Sequence, residues 1–209
     1  MIITIGRQLG SGGREIGRRL SEDLQIAYYD REILEITAKQ SGISRKLFEQ
    51  MDERMHKRLP AGLFSTRFPF WGDPMLNYGG LSNEMLFQVM SDVIRSLAEK
   101  QSCIFIGRCA DYILRDRNDC LNVFICANEQ DRIRRIIENG KDKAISVEKA
   151  RELMVQIDRQ RASFYNYYSN KTWGLASSYH LCLNSSALGI DGAVSLIHTL
   201  LQGTSKILL

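Results

Sequence analysis

The 209-residue sequence lacks the features of membrane, fibrous and disulfide-built proteins. No apolar run approaches the ~18 residues that a membrane-crossing helix needs, so we expect no membrane interaction. The five cysteines form no CxxC pair, and we interpret them as reduced thiols of a cytoplasmic protein. The three histidines show no metal-ligand spacing, so we expect no metal site built by the protein alone.

The excess of positive over negative charge is small as well. A net charge of +4 and a pI near 8.8 fit an anionic ligand but are too small to predict nucleic-acid binding. Hydrophobic residues make up 44% of the chain and charged residues 25%, close to the globular average. These proportions argue against disorder and predict one domain spanning residues 1–209.

Proline is rare, and all three prolines lie within residues 55–81, together with four glycines and five aromatic residues. An irregular connection of this length is typical of a functional lid or an interaction arm. It is also the segment through which copies of the chain could associate as a homo-oligomer. The equally weighted alternative is an irregular loop packed on the core by its aromatic side chains.

Short apolar runs alternate with segments of helical periodicity. The runs are residues 1–6, 26–29, 103–107, 121–127 and 179–184. Ile16, Leu20 and Leu24 recur every fourth residue, which indicates a helix, and further helices are expected after Asp30, from Ser44 and over residues 191–202. Unbroken apolar runs are typical of strands buried on both faces of a parallel sheet. The pattern predicts a three-layer α/β/α fold around a five-stranded parallel sheet.

A glycine-rich segment, GRQLGSGGRE at residues 6–15, follows the first predicted strand and opens the first predicted helix. Ligands of open parallel sheets bind beyond the carboxyl ends of the strands, and glycine-rich turns at helix N-termini direct backbone N–H groups at phosphate. The alternative is a tight turn that binds nothing. The predicted phosphate-binding residues are Gly10, Ser11, Gly12, Gly13, Arg14 and Glu15.

Neither common phosphate-loop motif is complete here. A Walker A loop requires lysine where Gly13 stands, and the neighbouring register loses its first glycine to Gln8. The dinucleotide fingerprint begins at Gly10 but has Glu15 in place of its third glycine. Asp30 ends the second strand, where a ribose-binding acid would lie. A dinucleotide-dependent oxidoreductase is therefore kept as an alternative.

Four segments in order along the chain resemble the cytidylate kinase-like family of P-loop nucleoside monophosphate kinases. They are IGRQLGSGGREIG at 5–17, AYYDRE at 27–32, IGRCADYIL at 106–114 and DRQRA at 158–162. The resemblance implies a P-loop NTPase-type fold and ATP-dependent, Mg²⁺-assisted phosphorylation of CMP or dCMP. It also implies a helical lid near residues 132–161. The chain departs from the family pattern at the Walker lysine and at Cys109 and Met154.

Arginines are the candidates for catalysis, because phosphoryl transfer needs positioning and positive charge on the phosphate oxygens. Arg14 opens the first helix and would replace the lysine charge with a planar guanidinium. Lid arginines would close over the phosphates, although a solvated helix face is the alternative for Arg132 and Arg135. The predicted catalytic residues are Arg14, Arg132, Arg135 and Arg161.

Acceptor binding is assigned to charged residues near strand ends and on the lid. Asp30 and Arg108 follow the second and third strands, and the resemblance implies nucleotide contacts for Asp158 and Arg161. The alternative for the carboxylates is a helix cap or a surface salt bridge. The full set is Asp30, Arg108, Asp111, Asp158 and Arg161. A non-catalytic nucleotide-binding protein that has lost the lysine is the second functional hypothesis.

Overall fold

The computed structural model of the protein describes residues 1–30, 32–41, 83–139 and 145–203. Three predicted segments lie outside the described residues. They are the helix from Ser44, the segment 55–81 and, within the predicted lid, residues 140–144. The interaction arm, the homo-oligomer contact and the division of the chain into domain, insertion and lid therefore stay predictions.

Five parallel strands form one sheet in the order β2-β3-β1-β4-β5, as predicted. Strand β1 lies at the centre, with Ile2 opposite Cys103 of β3 on one side and opposite Cys120 of β4 on the other. The carboxyl ends of β1, β3 and β4 therefore meet at one edge of the sheet. The strands are β1 (Ile2–Arg7), β2 (Ala27–Tyr29), β3 (Cys103–Ile106), β4 (Cys120–Cys126) and β5 (Leu181–Asn184).

Helices connect these strands over the described residues. They are α1 (Gly13–Leu24), α2 (Glu32–Ser41), α3 (Asn83–Lys100), α4 (Ala110–Ile113), α5 (Glu129–Asn139), α6 (Val147–Ser169) and α7 (Ser185–Gly203). Helix α7 begins at Ser185 rather than at 191, and it is interrupted at Gly189, whose φ of 71° and ψ of 172° are not helical. None of the described helices combines the length and the apolar character needed to span a membrane.

Two apolar clusters cover the two faces of the sheet and make the fold three-layered. Ile2 faces the cluster that contains Val93 of α3 and Tyr165 of α6. Ile3, the next residue of β1, faces the cluster that contains Ile16 of α1. Successive side chains of a strand point to opposite faces, so the unbroken apolar run of β1 is buried on both sides. The predicted α/β/α arrangement is confirmed.

Candidate active site

The glycine-rich turn between β1 and α1 contains two left-handed glycines, Gly10 with φ of 75° and Gly12 with φ of 79°. A Cβ at Gly10 would lie 2.5 Å from the carbonyl oxygen of Arg132, and one at Gly12 would lie 2.3 Å from Cδ1 of Ile190. Both positions therefore favour glycine on conformation and on space. Because α1 begins at Gly13, the N–H groups of its first turn have no intrahelical partner and suit an anion.

Arg132 of α5 and Asp158 of α6 hold this turn through Leu9. Nε of Arg132 donates to the Leu9 carbonyl at 2.7 Å, and its Nη2 donates to the Asp158 carboxylate. Oδ1 of Asp158 accepts the Leu9 N–H at 2.8 Å. Burial raises the pKa of Asp158, against the opposing effect of the Leu9 N–H and Arg132. Arg132 is only 8% exposed, so it does not belong to a solvated helix face.

Arg135 and Ser185 add a second set of contacts to the turn. Nη1 of Arg135 donates to the Gly10 carbonyl at 3.2 Å and to the Ser185 hydroxyl at 3.0 Å. The Ser185 hydroxyl donates to the Ser11 carbonyl at 2.7 Å, and the Ser11 hydroxyl donates to the Gln8 carbonyl at 2.9 Å. Helices α5, α6 and α7 thus all help to fix the backbone of the turn.

Asp30 brings two arginines together where β1 and β2 end. Its Oδ2 lies 2.7 Å from Nε of Arg14, and its Oδ1 lies 3.5 Å from Nη2 of Arg7. Arg161 of α6 reaches the same place, where its Nη1 donates to the Arg7 carbonyl at 2.9 Å. Asp30 is buried while the Arg14 side chain is half-exposed. The structure therefore brings together three of the predicted site residues, and Arg7 with them.

Positive charge exceeds negative charge in this crevice. Burial lowers the pKa of Arg161 to about 10, and the charges of Arg14 and Arg108 contribute in the same direction, against Asp158 and Asp30. The pKa of Arg7 is lowered well below its ordinary value, first by burial and next by the charge of Arg161. Arg7, Arg14 and Arg161 thus meet beside Asp30, an arrangement that suits a polyanion. Arg108 follows the neighbouring strand β3 and adds its charge.

Three successive left-handed residues follow β3. Gly107, Arg108 and Cys109 have φ values of 71°, 62° and 55°. Such a conformation costs a non-glycine residue roughly 1–3 kcal/mol and persists where surrounding structure imposes it, often at functional sites. A Cβ on Gly107 would lie 1.9 Å from Nη1 of Arg7, so the Arg7 guanidinium packs directly on this glycine.

Two predicted site residues have their described partners away from this crevice. Glu15 bonds Arg18 at 2.9 Å and Arg19 at 2.7 Å on the surface of α1, and the Arg18 hydrogen bond is the largest cause of its lowered pKa. Asp111 is buried and accepts the Tyr165 O–H at 2.6 Å. Glu15 meets arginines three and four residues along its own helix, a spacing that always shares a face.

Two residues of this site, Arg7 and Ser185, are not among those predicted from the sequence. The sequence did contain a signal for Arg7. When Gly12 is aligned with the second glycine of the Walker A motif, Arg7 stands where the first glycine belongs, at the end of β1. Ser185 gives no such signal, since its contact with the Ser11 carbonyl joins residues 174 positions apart.

Removal of the Tyr165 hydroxyl should destabilise the protein in a pH-dependent way. Burial raises the pKa of Asp111, and the Tyr165 hydrogen bond lowers it. Tyr165→Phe should therefore raise that pKa further and destabilise the ionised form by about 1.5–3 kcal/mol. The loss should be largest at pH 7 and shrink as the pH falls and Asp111 becomes protonated. Denaturant unfolding at several pH values measures this.

Tyr167→Phe is the matched control for this experiment. Tyr167 lies on the same helix, is 56% exposed and bonds Glu84 at 3.3 Å. Its replacement should change stability by less than about 0.5 kcal/mol. A pH-independent loss in Tyr165→Phe would contradict a hydrogen bond from Tyr165 that favours the ionised form of Asp111.

A glycine turn after the central strand of a parallel sheet, opening a helix beside converging arginines, defines a P-loop-type α/β/α protein. The sequence profile of the cytidylate kinase-like family matches residues 2–187. The chain belongs to this family, which makes it a nucleotide-binding, kinase-like protein. A search of curated protein sequences returns no match.

Solved structures share the fold over nearly the full chain. An uncharacterized protein from Eubacterium ventriosum ATCC 27560 is 23% identical over 97% of this chain and 98% of its own, with a TM-score of 0.71. Shikimate kinase from Bacteroides thetaiotaomicron is 13% identical over 97% and 98%, with a TM-score of 0.55. Shikimate kinase from Acinetobacter baumannii, solved with shikimate, is 13% identical over 97% and 93%, with a TM-score of 0.51. At these identities the similarity shows the fold alone.

Proposed function

We propose that the protein transfers the γ-phosphoryl group of ATP to CMP, dCMP or a related nucleoside monophosphate. The observation that carries the proposal is the convergence of four arginines on the carboxyl ends of the strands beside the glycine turn. They are Arg7, Arg14, Arg108 and Arg161. Transfer between two nucleotides gathers several phosphates in one place, and its catalysis is mostly positioning and electrostatic stabilisation. Family membership supports the nucleotide acceptor.

The donor phosphates would lie on the turn, against the first N–H groups of α1. Arg14 would supply the charge that lysine supplies in a complete Walker A loop, as a fork able to make two parallel hydrogen bonds. Arg161 would lie between the transferred group and the acceptor phosphate, because it reaches the Arg7 carbonyl from α6. Arg132 and Asp158 would keep the turn in shape through Leu9 rather than contact substrate.

The acceptor would occupy the side of the crevice formed by the ends of β2 and β3. Arg108 and Asp30 lie there, with Asp30 available to the acceptor once a phosphate engages its arginines. Asp111 lies in the core with Tyr165 and would act through the position of α6, because its carboxylate is bonded to that helix.

The described residues do not form a magnesium site of their own. They contain no group of three or more histidine, cysteine or acidic side chains placed to hold a metal. Asp30 is engaged by Arg7 and Arg14, and Glu15 by Arg18 and Arg19. Mg²⁺ would therefore enter with ATP, and the charge supplied by the protein itself is that of the arginines.

A turnover assay tests the proposal. ADP release is measured with MgATP and each of CMP, dCMP, UMP, AMP and GMP, with ATP alone as the blank. We expect acceptor-dependent ADP release, greatest with a cytidine nucleotide. Release that no monophosphate increases would contradict the proposed transfer.

A non-catalytic nucleotide-binding protein is the second candidate, and one observation favours it. The turn has no lysine, and Arg14, which would supply the positive charge instead, is already paired with Asp30. Calorimetry with CMP and with a non-hydrolysable ATP analogue separates the two candidates. Binding of both nucleotides without any transfer would establish the second.

Replacement of Gly12 should weaken nucleotide binding and also lower stability. Gly12→Ala must adopt a φ of 79° and brings its Cβ against Cδ1 of Ile190. We expect roughly a tenfold higher Kd for the ATP analogue, the equivalent of one weakened hydrogen bond to a charged group. Calorimetry and thermal unfolding measure the two effects.

Two further variants separate the conformational effect from the clash. Gly12→Ala combined with Ile190→Ala removes the atom that Cβ meets but keeps the φ requirement, so binding should stay weak. Gly192→Ala changes a helical glycine whose added Cβ would lie 3.5 Å from Cβ of Leu188, an ordinary contact, so this variant should bind the ATP analogue normally. Wild-type affinity in a folded Gly12→Ala protein would contradict phosphate binding at this turn.

A further inference from the structure

The Arg7 guanidinium is buried with unusually little hydrogen bonding. Its Nε is fully buried and has no hydrogen-bond partner among the described residues. The Asp30 oxygen nearest to Nη2 lies 3.5 Å away, and the side chain is only 13% exposed. A buried cation is unfavourable unless its charge and N–H groups are satisfied. The fold therefore holds Arg7 in a position that does not benefit its own stability.

The surroundings of Arg7 concentrate the same sign of charge. Its guanidinium rests on Gly107, in the left-handed turn after β3 that carries Arg108. Arg161 bonds the Arg7 carbonyl, and the charges of Arg161, Arg14 and Arg108 all oppose that of Arg7. One carboxylate, Asp30, is shared between Arg7 and Arg14. A ligand with two negative charges would complete this cluster, whereas a neutral ligand would not.

We propose that Arg7 is a ligand-binding residue which, with Arg108 and Arg161, forms a subsite for a phosphate dianion, the phosphate monoester of the acceptor. Asp30 competes with that phosphate for Arg7 and Arg14. The subsite itself follows from the arginine geometry, and only the identity of its ligand as acceptor rests on the proposed function. We place it apart from the donor site, because the Arg7 guanidinium rests on Gly107 after β3, whereas only Cβ and Cγ of Arg7 lie against Gly13 at the start of α1, where the donor phosphates would bind.

Arg7→Met distinguishes a ligand-binding role from a structural one. It removes a buried, poorly paired cation and keeps an apolar side chain of similar length, so the Tm of the free protein should stay the same or rise. Phosphate affinity should fall roughly ten- to hundredfold, as expected for lost hydrogen bonds to a charged group. A structural arginine would give a lower Tm.

The first experiment uses inorganic phosphate and CMP as probes. Thermal unfolding is recorded against the concentration of each, since a ligand that binds only the folded state raises Tm. Phosphate and CMP should raise the Tm of the wild type and of Arg95→Met, a control at an exposed arginine, by the same amount. Arg7→Met should lose most of this response, and Asp30→Asn should bind phosphate more tightly. An Arg7→Met protein with unchanged phosphate response, or with a lowered basal Tm, overturns the proposal, and weaker binding in Asp30→Asn overturns the competition.

The second experiment identifies the source of the phosphate. CMP is titrated into protein saturated with a non-hydrolysable ATP analogue. Unchanged CMP affinity supports the acceptor subsite. If CMP and the ATP analogue displace each other, Arg7 is assigned to the donor site and the acceptor subsite is overturned. If CMP binds through Arg7 but no transfer occurs, the proposed function fails and the subsite stands. If Arg7→Met transfers phosphate with the wild-type KM for CMP, the subsite fails and the function stands.

Discussion

Arg14→Ala and Arg161→Ala should each reduce turnover by a factor on the order of 10³, the loss typical of an arginine that contacts the transferring phosphoryl group. The Tm should change far less. Arg14 is half-exposed, so its ion pair with Asp30 adds little to stability. Arg161 is a desolvated cation with a lowered pKa, so its removal relieves part of an electrostatic penalty. Steady-state kinetics and thermal unfolding of the same preparations measure both effects.

Arg14→Lys and Arg159→Ala are the companion variants. Lysine keeps a point charge but loses the planar fork, so only part of the activity should return. Arg159 is exposed on the same helix as Arg161 and should be replaceable without loss of turnover. Full activity in Arg14→Ala would mean that another residue replaces the Walker lysine. Equal losses in Arg159→Ala and Arg161→Ala would show an effect of overall charge rather than of position.

Arg132→Met should give the largest loss of stability among the site variants. It removes the arginine that is hydrogen-bonded to the Asp158 carboxylate and leaves only Arg161, at 3.9 Å, as a charge partner. Removal of one partner from a buried pair typically costs about 3–5 kcal/mol. The Leu9 carbonyl also loses its donor, so the glycine turn should loosen. We expect a lower free energy of unfolding in denaturant together with weaker binding of the ATP analogue.

A double variant tests this interpretation. Arg132→Met with Asp158→Leu removes both charges and should recover part of the stability, because the buried carboxylate no longer lacks Arg132 and only Arg161, 3.9 Å from Asp158, loses a charge partner. Nucleotide affinity should stay low, because the Leu9 N–H and carbonyl still lack their partners. Arg134→Met is the control, since Arg134 is 60% exposed and pairs with Asp131 on the surface of α5. Additive losses in the double variant would contradict the coupling of Arg132 with Asp158.

Local patterns in the sequence were sufficient for the architecture. Apolar runs without alternation predicted buried parallel strands, and the spacing of Ile16, Leu20 and Leu24 predicted α1. The glycines of residues 6–15 predicted a phosphate-binding turn, because backbone conformation depends strongly on the presence of a Cβ. Four ordered motifs were sufficient for the family, which the match over residues 2–187 confirms.

Sequence alone determined the parallel α/β/α fold, the glycine turn and the family, since each of these is encoded by residue types at short spacing. Tertiary structure decided which charges meet. Arg132 and Asp158 are 26 positions apart, and Arg161 reaches the Arg7 carbonyl across 154. Such pairings depend on how the helices pack on the sheet, and the periodicity of apolar residues does not predict which charged side chains this packing brings together. For the same reason only the tertiary structure revealed the role of Arg7. Its guanidinium is buried against Gly107, and its Nε finds no hydrogen-bond partner within the described part of the chain.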